Sequence, residues 1–306
     1  MTTVLSRLRT RDVVALARPQ FWPVSLVPYG VGLVLATGRL VPSAGDLPHV
    51  LAGALVIGPL VWLSVLAVND AYDVRGDLLN PRKASAPLVT GRISPAAALW
   101  IAVAAGMVAF ALSLTAGWWF AAGTLVALLL GAAYSAPPLR LKSRPGGDVL
   151  LNAVAIGVAG PMAGWAVIRP IGDFPWPMAV LGTLVGAALY LPTTLADLDA
   201  DSAANGVTRG WTGGYRTIAV RLGREATYRL GLACWVASAG LSVLLAATNT
   251  VIPRRMLLLE IVMVPLLVAS YRKHIGPSPS FRGVVIVAGW FLLPAAGFVL
   301  TYTGIL

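Results

Sequence analysis

Long apolar runs separated by short polar or charged segments repeat along the whole chain. Each run has roughly the 20 residues that an α-helix needs to cross the hydrocarbon core of a bilayer. The pattern therefore predicts an all-α protein, a bundle of about nine transmembrane helices forming one integral-membrane domain over residues 1–306. The nine runs cover residues 20–38, 49–70, 94–114, 117–135, 148–168, 176–196, 226–247, 256–271 and 283–304.

The predicted spans are rich in glycine and alanine and carry prolines in their interiors. Small residues let membrane helices approach each other closely. An interior proline removes a backbone donor and kinks the helix, and such breaks are tolerated where they are buried in protein or line a cavity. We therefore expect bent helices around a central cavity. Interior prolines of this kind include Pro59, Pro161, Pro192 and Pro294.

Charge adds an orientation to this picture. Only 11% of residues are charged, against about a quarter in a soluble domain, so the net charge of +11 predicts membrane orientation and no nucleic-acid partner. Of the 23 basic residues, 18 lie in the N-terminal segment and in the loops after spans two, four, six and eight. The positive-inside rule places these segments in the cytoplasm. We expect a plasma-membrane protein, surrounded by lipid, whose C-terminus lies outside.

Half of the twelve acidic residues fall in two clusters, at the ends of spans two and six. In the first cluster, Asp70, Asp73 and Asp77 share one face of a helix, and Asn69 lies one turn before Asp73. Like charges so placed repel each other unless water or a cation neutralises them. Carboxylates suit Mg²⁺, which binds one or two of them together with substrate phosphates. Taken alone, the cluster is either a Mg²⁺ site or a solvated helix end.

The second cluster favours the metal interpretation. Asp197 and Asp201 lie one turn apart on a helix, while Asp199 points elsewhere. Both clusters fall on the predicted cytoplasmic side, so two acidic helix ends facing each other could hold Mg²⁺ ions and, through them, a diphosphate. Ordinary solvation would instead scatter the acidic residues over all the loops.

The loop after span four, residues 134–145, brings a tyrosine and three cations to the same side. Arginine binds phosphate through a bidentate fork and lysine through a point charge. These cations are either phosphate ligands or anchors that orient the protein in the membrane, and for Arg140 alone the anchor is the favoured interpretation. Two further cations with the same ambiguity, Arg82 and Lys83, follow the first acidic cluster.

These stretches, in this order, resemble the UbiA-type membrane prenyltransferase superfamily. The first cluster has the pattern N-D-x-x-D-x-x-x-D, the second D-x-x-x-D, and the loop between them reads Tyr-Ser-Ala-Pro-Pro-Leu-Arg-Leu-Lys. Residues 214–223, Gly-Tyr-Arg-Thr-Ile-Ala-Val-Arg-Leu-Gly, match a stretch that commonly follows the second motif. Either aspartate motif alone is unspecific, whereas the ordered set is specific and covers nearly the whole chain.

The resemblance implies a helical bundle around a lipid-facing cavity in which both motifs hold Mg²⁺ and the diphosphate of an isoprenyl donor. The implied metal ligands are Asn69, Asp70, Asp73, Asp77, Asp197 and Asp201. The implied diphosphate contacts are Asn69, Lys142 and Arg144, with Arg82 and Arg209 as further candidates. The implied catalytic residues are Asp73, Asp197 and Tyr134, the last through an aromatic face that stabilises an allylic cation.

The predicted activity is Mg²⁺-dependent transfer of an isoprenyl group to a lipophilic acceptor, with release of diphosphate at the cytoplasmic face. Aromatic quinone precursors are the commonest acceptors in the family, and the loop at 134–145 also resembles those of carotenoid elongases, which extend a polyene. One alternative is a terpene cyclase of the same superfamily, which needs no acceptor. Another is a membrane transporter, which would place ionisable groups near the bilayer midplane. The interiors of the predicted spans are nearly free of such groups, with Arg229 and Glu260 as the exceptions.

Overall fold

The computed structural model describes residues 9–78, 80, 83–207 and 216–306, and side chains are described for all of these except 204–207. The described residues form helices and connecting turns, with no β-strand among them, which confirms the all-α prediction. In chain order the helices are α1 (Thr10–Ala17), α2 (Trp22–Thr37), α3 (Leu47–Asp77), α4 (Pro95–Ser113), α5 (Trp118–Ser135), α6 (Gly147–Ala166), α7 (Trp176–Val207), α8 (Ile218–Ala247), α9 (Leu257–His274) and α10 (Phe281–Tyr302).

Within the described residues, eight helical segments are long and apolar enough to cross a membrane. They correspond to predicted spans one to seven and nine. The eighth predicted span is α9, an 18-residue helix that packs against α8 and α10. It is more polar because Glu260 lies in its first turn and Arg272 and Lys273 lie in its last turn. The predicted count of about nine is therefore approximate, and the membrane-spanning bundle itself is confirmed.

Two helices near the second acidic cluster are longer than the apolar runs that predict them. Helix α7 continues to Val207, although its apolar run ends at residue 196. Helix α8 begins at Ile218, whereas its apolar run begins at residue 226, and it is kinked between these points at Gly223, which has a non-helical φ of 77° and ψ of 174°. Alanine-rich sequence continues α7 beyond the apolar run, because alanine has the highest helix propensity. Asp197, Asp199 and Asp201 consequently lie inside a helix and keep its periodicity.

Two of the interior prolines named above coincide with irregular helix geometry. Pro59 lies in a π-helical turn, Val56–Leu60, inside α3. Pro161 follows a second π-helical turn, Ala155–Ala159, inside α6. A proline cannot donate to the regular helix ladder, and a wider turn is one way to accommodate it. The first distortion therefore lies within α3, ahead of the segment that carries the first acidic cluster.

Glycines bring α6 and α7 into backbone contact. A Cβ atom on Gly157 would overlap the carbonyl group of Gly182, and one on Gly182 would overlap the carbonyl group of Gly157. The α2–α6 crossing is equally close, because a Cβ on Gly32 would overlap the carbonyl of Pro161. These crossings confirm that small residues set the helix spacing. The first crossing places α7 beside α6, and the acidic segment of α7 lines the cavity described below.

Candidate active site

Residues of both aspartate motifs line one cavity of about 390 Å³. Asn69, Asp73 and Asp77 enter it from α3, and Asp197 and Asp201 enter it from α7. Each set is spaced by four residues, so each forms a row along one helix face. The two acidic helix ends therefore face each other across a common space, as the sequence predicts.

Asp73 lies at the centre of a buried ion-pair cluster. Its carboxylate accepts hydrogen bonds from Lys142 at 2.5 Å and from Arg140 at 3.2 Å. Lys142 also donates to the side-chain oxygen of Asn69 at 2.8 Å. Asp73, Arg140 and Lys142 are each less than a tenth exposed. Burial lowers the pKa of Lys142, and the adjacent Asp73 carboxylate opposes that shift.

The three cations of the loop at 134–145 have different environments. Lys142 lines the cavity. Arg140 is buried against Asp73, a contact that its interpretation as a membrane anchor did not predict. Arg144 is exposed, donates a hydrogen bond to the Pro138 carbonyl at 3.5 Å, and does not line the cavity. Sequence reasoning could not predict these three environments, because the burial of each residue depends on the path of the loop.

Lys83 supplies a second cation at the cavity. It donates to the Asp77 carboxylate at 2.7 Å and lines the cavity beside it. The other two candidate phosphate contacts, Arg82 and Arg209, lie outside the described residues. Within the described part of the chain, Lys83 and Lys142 are therefore the lysines placed to contact an anion held between the two motifs.

Asp70, the remaining acid of the first motif, faces away from the cavity. Both of its carboxylate oxygens accept hydrogen bonds from Arg18, at 2.6 and 2.8 Å. Asp70 is 3% exposed and does not line the cavity. The sequence did not indicate this pairing, because Arg18 is 52 residues away along the chain.

Tyr134 belongs to a hydrogen-bonded group at the cavity wall. Its hydroxyl lies 2.9 Å from the hydroxyl of Tyr190, which also lines the cavity. The Asn152 side chain donates to the Tyr134 hydroxyl at 3.0 Å and to the Asp148 carbonyl at 2.8 Å. Sequence reasoning did not single out Asn152, although an amide inside an apolar span was a usable signal. The group holds both rings in fixed positions between α5, α6 and α7.

Asp148 is a further cavity residue that sequence reasoning missed. It is 1% exposed, and its carboxylate accepts from the backbone N–H of Ile218 at 2.9 Å and of Gly146 at 3.1 Å. It thereby ties the first turn of α8 to the first turn of α6. Asp199, in contrast, is directed outward as expected and pairs with Arg224 at 2.6 Å, its side chain 88% exposed.

The donor set fits Mg²⁺ in its chemistry. Carboxylate and amide oxygens from two helices share the cavity, and each helix offers the one or two carboxylates that Mg²⁺ uses together with substrate phosphates. Among the described residues, no group of three or more His, Cys, Asp or Glu side chains could hold a metal ion by itself. The arrangement therefore suits a metal that a phosphorylated ligand helps to hold.

The fold and site define a membrane-embedded enzyme whose cavity pairs carboxylates with lysines at one end of a helical bundle. Residues 25–280 match the model of the UbiA prenyltransferase family, and the chain belongs to this family. It is a prenyltransferase, as its sequence predicts.

Characterised relatives act on different molecules. The lycopene elongase/hydratase of Haloferax volcanii is 30% identical over 230 residues, covering 73% of this chain and 69% of that protein. The protoheme IX farnesyltransferase of Azotobacter vinelandii is 33% identical over 172 residues, covering 55% of each chain.

Solved structures share the fold across the whole chain. A UbiA homologue from Archaeoglobus fulgidus bound to GPP and Mg²⁺ superposes with a TM-score of 0.73 at 22% identity, covering 95% of this chain and 98% of that one. The same homologue bound to DMAPP and Mg²⁺ gives a TM-score of 0.72 at 21% identity, covering 96% and 100%. At this level of identity the likeness establishes a shared fold. The bound GPP, DMAPP and Mg²⁺ are properties of the Archaeoglobus fulgidus homologue.

Proposed function

We propose that this prenyltransferase moves an isoprenyl group from an isoprenyl diphosphate to a lipophilic acceptor in a Mg²⁺-dependent reaction that releases diphosphate. The observation that carries the proposal is the shared cavity, in which carboxylates of α3 and α7 lie opposite each other beside Lys83 and Lys142. A diphosphate needs both metal ions and direct cationic donors to become a good leaving group, and this cavity provides ligands for the first and side chains for the second.

The chain's own residues divide this work. Asn69, Asp73 and Asp77 would hold Mg²⁺ on one side of the cavity, and Asp197 and Asp201 on the other. The bound metal would act as a Lewis acid that neutralises the departing diphosphate. Lys142 and Lys83 donate hydrogen bonds to phosphate oxygens, which strengthens binding and orients the allylic C–O bond.

The aromatic wall serves the carbon end of the donor. An allylic cation is stabilised by an adjacent aromatic face and must be protected from water. Tyr134 and Tyr190 both line the cavity, and their hydroxyl groups bond to each other, with Asn152 bonding to that of Tyr134. Because these hydrogen bonds hold Tyr134 at the cavity wall, we assign it as the ring that stabilises the cation.

A carotenoid-like polyene is the acceptor that the comparisons favour. The relative named lycopene elongase/hydratase aligns with 73% of this chain, whereas the protoheme IX farnesyltransferase aligns with 55%. The loop at 134–145 also resembles those of carotenoid elongases. We therefore place a polyene ahead of an aromatic quinone precursor, and we place the reaction at the cytoplasmic face of the plasma membrane, where the basic segments are expected.

The direct test incubates purified protein in lipid nanodiscs with DMAPP, GPP or a longer donor, with lycopene or without acceptor. We expect diphosphate release and a heavier polyene by mass spectrometry, both abolished by EDTA and restored by Mg²⁺. Cyclic hydrocarbon formed from the donor alone would identify a terpene cyclase. Absence of diphosphate release with every donor would refute the proposal.

Ligand variants test the metal assignment. Asp73→Asn and Asp197→Asn should each lower diphosphate release by at least on the order of a hundredfold, the cost of losing one preorganised electrostatic group. Asp199→Asn is the matched control, because Asp199 is exposed, paired with Arg224 and absent from the cavity wall. Near-parental release from Asp73→Asn or Asp197→Asn would remove that residue from the ligand set.

A further inference from the structure

We propose that Arg18 and Asp70 form a clamp that positions the cavity wall, and that Asp70 is a positioning residue and not a Mg²⁺ ligand. The inference rests on the proposed prenyl transfer and goes beyond it, because it assigns a different role to one acid of the first motif. It also gives the N-terminal segment a part in protecting the reaction from water.

The first support is the direction of the Asp70 side chain. Asn69, Asp73 and Asp77 line the cavity, whereas Asp70 does not. Along a helix, Asp70 is rotated by about 100° from Asn69, which places it at the edge of the cavity-facing row. There both of its oxygens accept hydrogen bonds from one Arg18 nitrogen, at 2.6 and 2.8 Å. Asp70 Oδ1 also accepts a hydrogen bond from the Asn69 side-chain nitrogen at 3.3 Å. The carboxylate is therefore engaged by Arg18 and Asn69 and does not line the cavity.

The second support is the burial of the pair. The Asp70 side chain is 4% exposed and the Arg18 side chain 21% exposed. Removing one member of a buried ion pair leaves the other charge uncompensated, so the two residues depend on each other. Arg18 also has a left-handed backbone conformation, with φ of 44°. A non-glycine residue takes this conformation where its surroundings require it, here at the joint between α1 and α2.

The third support is that the segment joining α1 and α2 contributes a residue to the cavity wall. Phe21 follows Arg18 by three residues, lines the cavity and stacks on Trp62 of α3 with ring centroids 5.8 Å apart. Trp22, the first residue of α2, donates its indole N–H to the carbonyl of Ala17, the last residue of α1, at 3.0 Å. This hydrogen bond links the two helix ends directly. The segment between α1 and α2 is therefore attached to α3 at Asp70 by an ion pair and at Trp62 by ring stacking, and Phe21, which makes the stacking contact, is itself part of the cavity wall.

The chemical consequence follows from the position of Phe21. If the clamp opens, Phe21 no longer seals the wall and water can reach the allylic carbon. The C–O bond to diphosphate then breaks as before, but the new C–O bond forms to water, which loses one proton and yields a prenyl alcohol. The clamp thus sets the ratio of hydrolysis to transfer, while the metal site sets the rate of diphosphate release.

The test compares Arg18→Gln, Asp70→Asn and the double variant, with Asp73→Asn as the ligand reference. Each is assayed in nanodiscs with DMAPP, lycopene and a range of Mg²⁺ concentrations, measuring prenyl alcohol, extended polyene and half-saturating Mg²⁺. We expect both single variants to raise the alcohol-to-polyene ratio at least threefold. The double variant should be no worse than either single one, because both changes break one interaction. Half-saturating Mg²⁺ should stay within twofold of the parent.

Two results would overturn the clamp. One is an unchanged alcohol-to-polyene ratio in both single variants. The other is a tenfold rise in half-saturating Mg²⁺ for Asp70→Asn but not for Arg18→Gln, which would make Asp70 a ligand. If the double variant does not fold, Arg18→Lys serves instead, since it keeps the positive charge but removes the guanidinium nitrogen that bonds to both Asp70 oxygens.

A measurement without substrate separates failure of the clamp from failure of the proposed function. Amide hydrogen exchange over residues 18–22 should speed up at least fivefold in Arg18→Gln and Asp70→Asn, and stay at the parental rate in Asp199→Asn. Unchanged exchange in both variants would overturn the clamp whether or not the protein uses an isoprenyl diphosphate. If the parent uses no donor but exchange responds as expected, only the proposed function fails.

Discussion

At the residue scale, two cations that the sequence treats alike have different surroundings. Lys142 is buried at Asn69 and Asp73 and lines the cavity, whereas Arg144 is exposed and outside the cavity wall. A charge-assisted contact to phosphate is worth about 1.5–3 kcal/mol. Lys142→Ala should therefore lower kcat/KM for the donor by about ten- to a hundredfold, and Arg144→Ala should change it less than twofold.

Steady-state kinetics with donor and acceptor varied separately checks this difference. The effect of Lys142→Ala should appear in the donor dependence, because the carbon acceptor carries no phosphate for Lys142 to contact. Equal losses in both variants, or losses confined to the acceptor, would contradict the assignment. Arg144→Ala removes a basic residue of the same loop, so it also controls for any effect of loop charge on membrane orientation.

Residue-level prediction from sequence succeeded where the signal was local. The rows Asn69–Asp73–Asp77 and Asp197–Asp201 follow from helix periodicity alone, and the cavity contains both. It did not identify Arg18 as the partner of Asp70 or Tyr190 as the partner of Tyr134, because these contacts span 52 and 56 residues. Such pairings depend on how the helices pack, which hydropathy does not encode.

At the element scale, the apolar runs locate the helices but not their ends. Hydropathy marks the part of a helix that meets lipid, and helix propensity continues beyond it. The polar end of α7 is the clearest case, since residues 197–207 are helical and carry the second motif. In helix α9, hydropathy is lowered by a residue whose charge is not free. The Glu260 carboxylate makes the helix more polar, yet it accepts a hydrogen bond from Ser242 of α8 at 2.8 Å.

The crossing of α6 and α7 makes a prediction at this scale. A Cβ on Gly182 would overlap the Gly157 carbonyl, so Gly182→Ala must push the two helices apart. Overpacking of this kind costs about 1–3 kcal/mol, and we expect a lower Tm in detergent. Gly123→Ala in α5 is the control, because a Cβ there meets nothing within 4 Å. It should leave Tm unchanged or raise it slightly, and equal losses in both variants would contradict the close crossing.

At the scale of the whole molecule, charge and chemistry gather at one end of the bundle. Three ion pairs lie at the C-terminal end of α3, and one of them is made with the loop after α5. They are Arg18–Asp70, Lys83–Asp77 and Lys142–Asp73. Glu260, the acid expected inside a span, is hydrogen-bonded between α8 and α9 and does not line the cavity. A donor with a charged head and an apolar tail suits this layout, because its head meets the charged end while its tail remains among apolar helices.

The same asymmetry predicts the orientation in the membrane. The charged end should face the cytoplasm, because 18 of the 23 basic residues are predicted to lie on that side. Single cysteines test it on a Cys234→Ser background, since Cys234 is the one cysteine of the chain. Pro145 follows the basic loop, Asp173 lies between α6 and α7, and both are exposed. In intact cells a membrane-impermeant maleimide should label Asp173→Cys and should label Pro145→Cys only after permeabilisation. The reverse pattern would place the cavity outside the cell, away from a cytosolic supply of isoprenyl diphosphate.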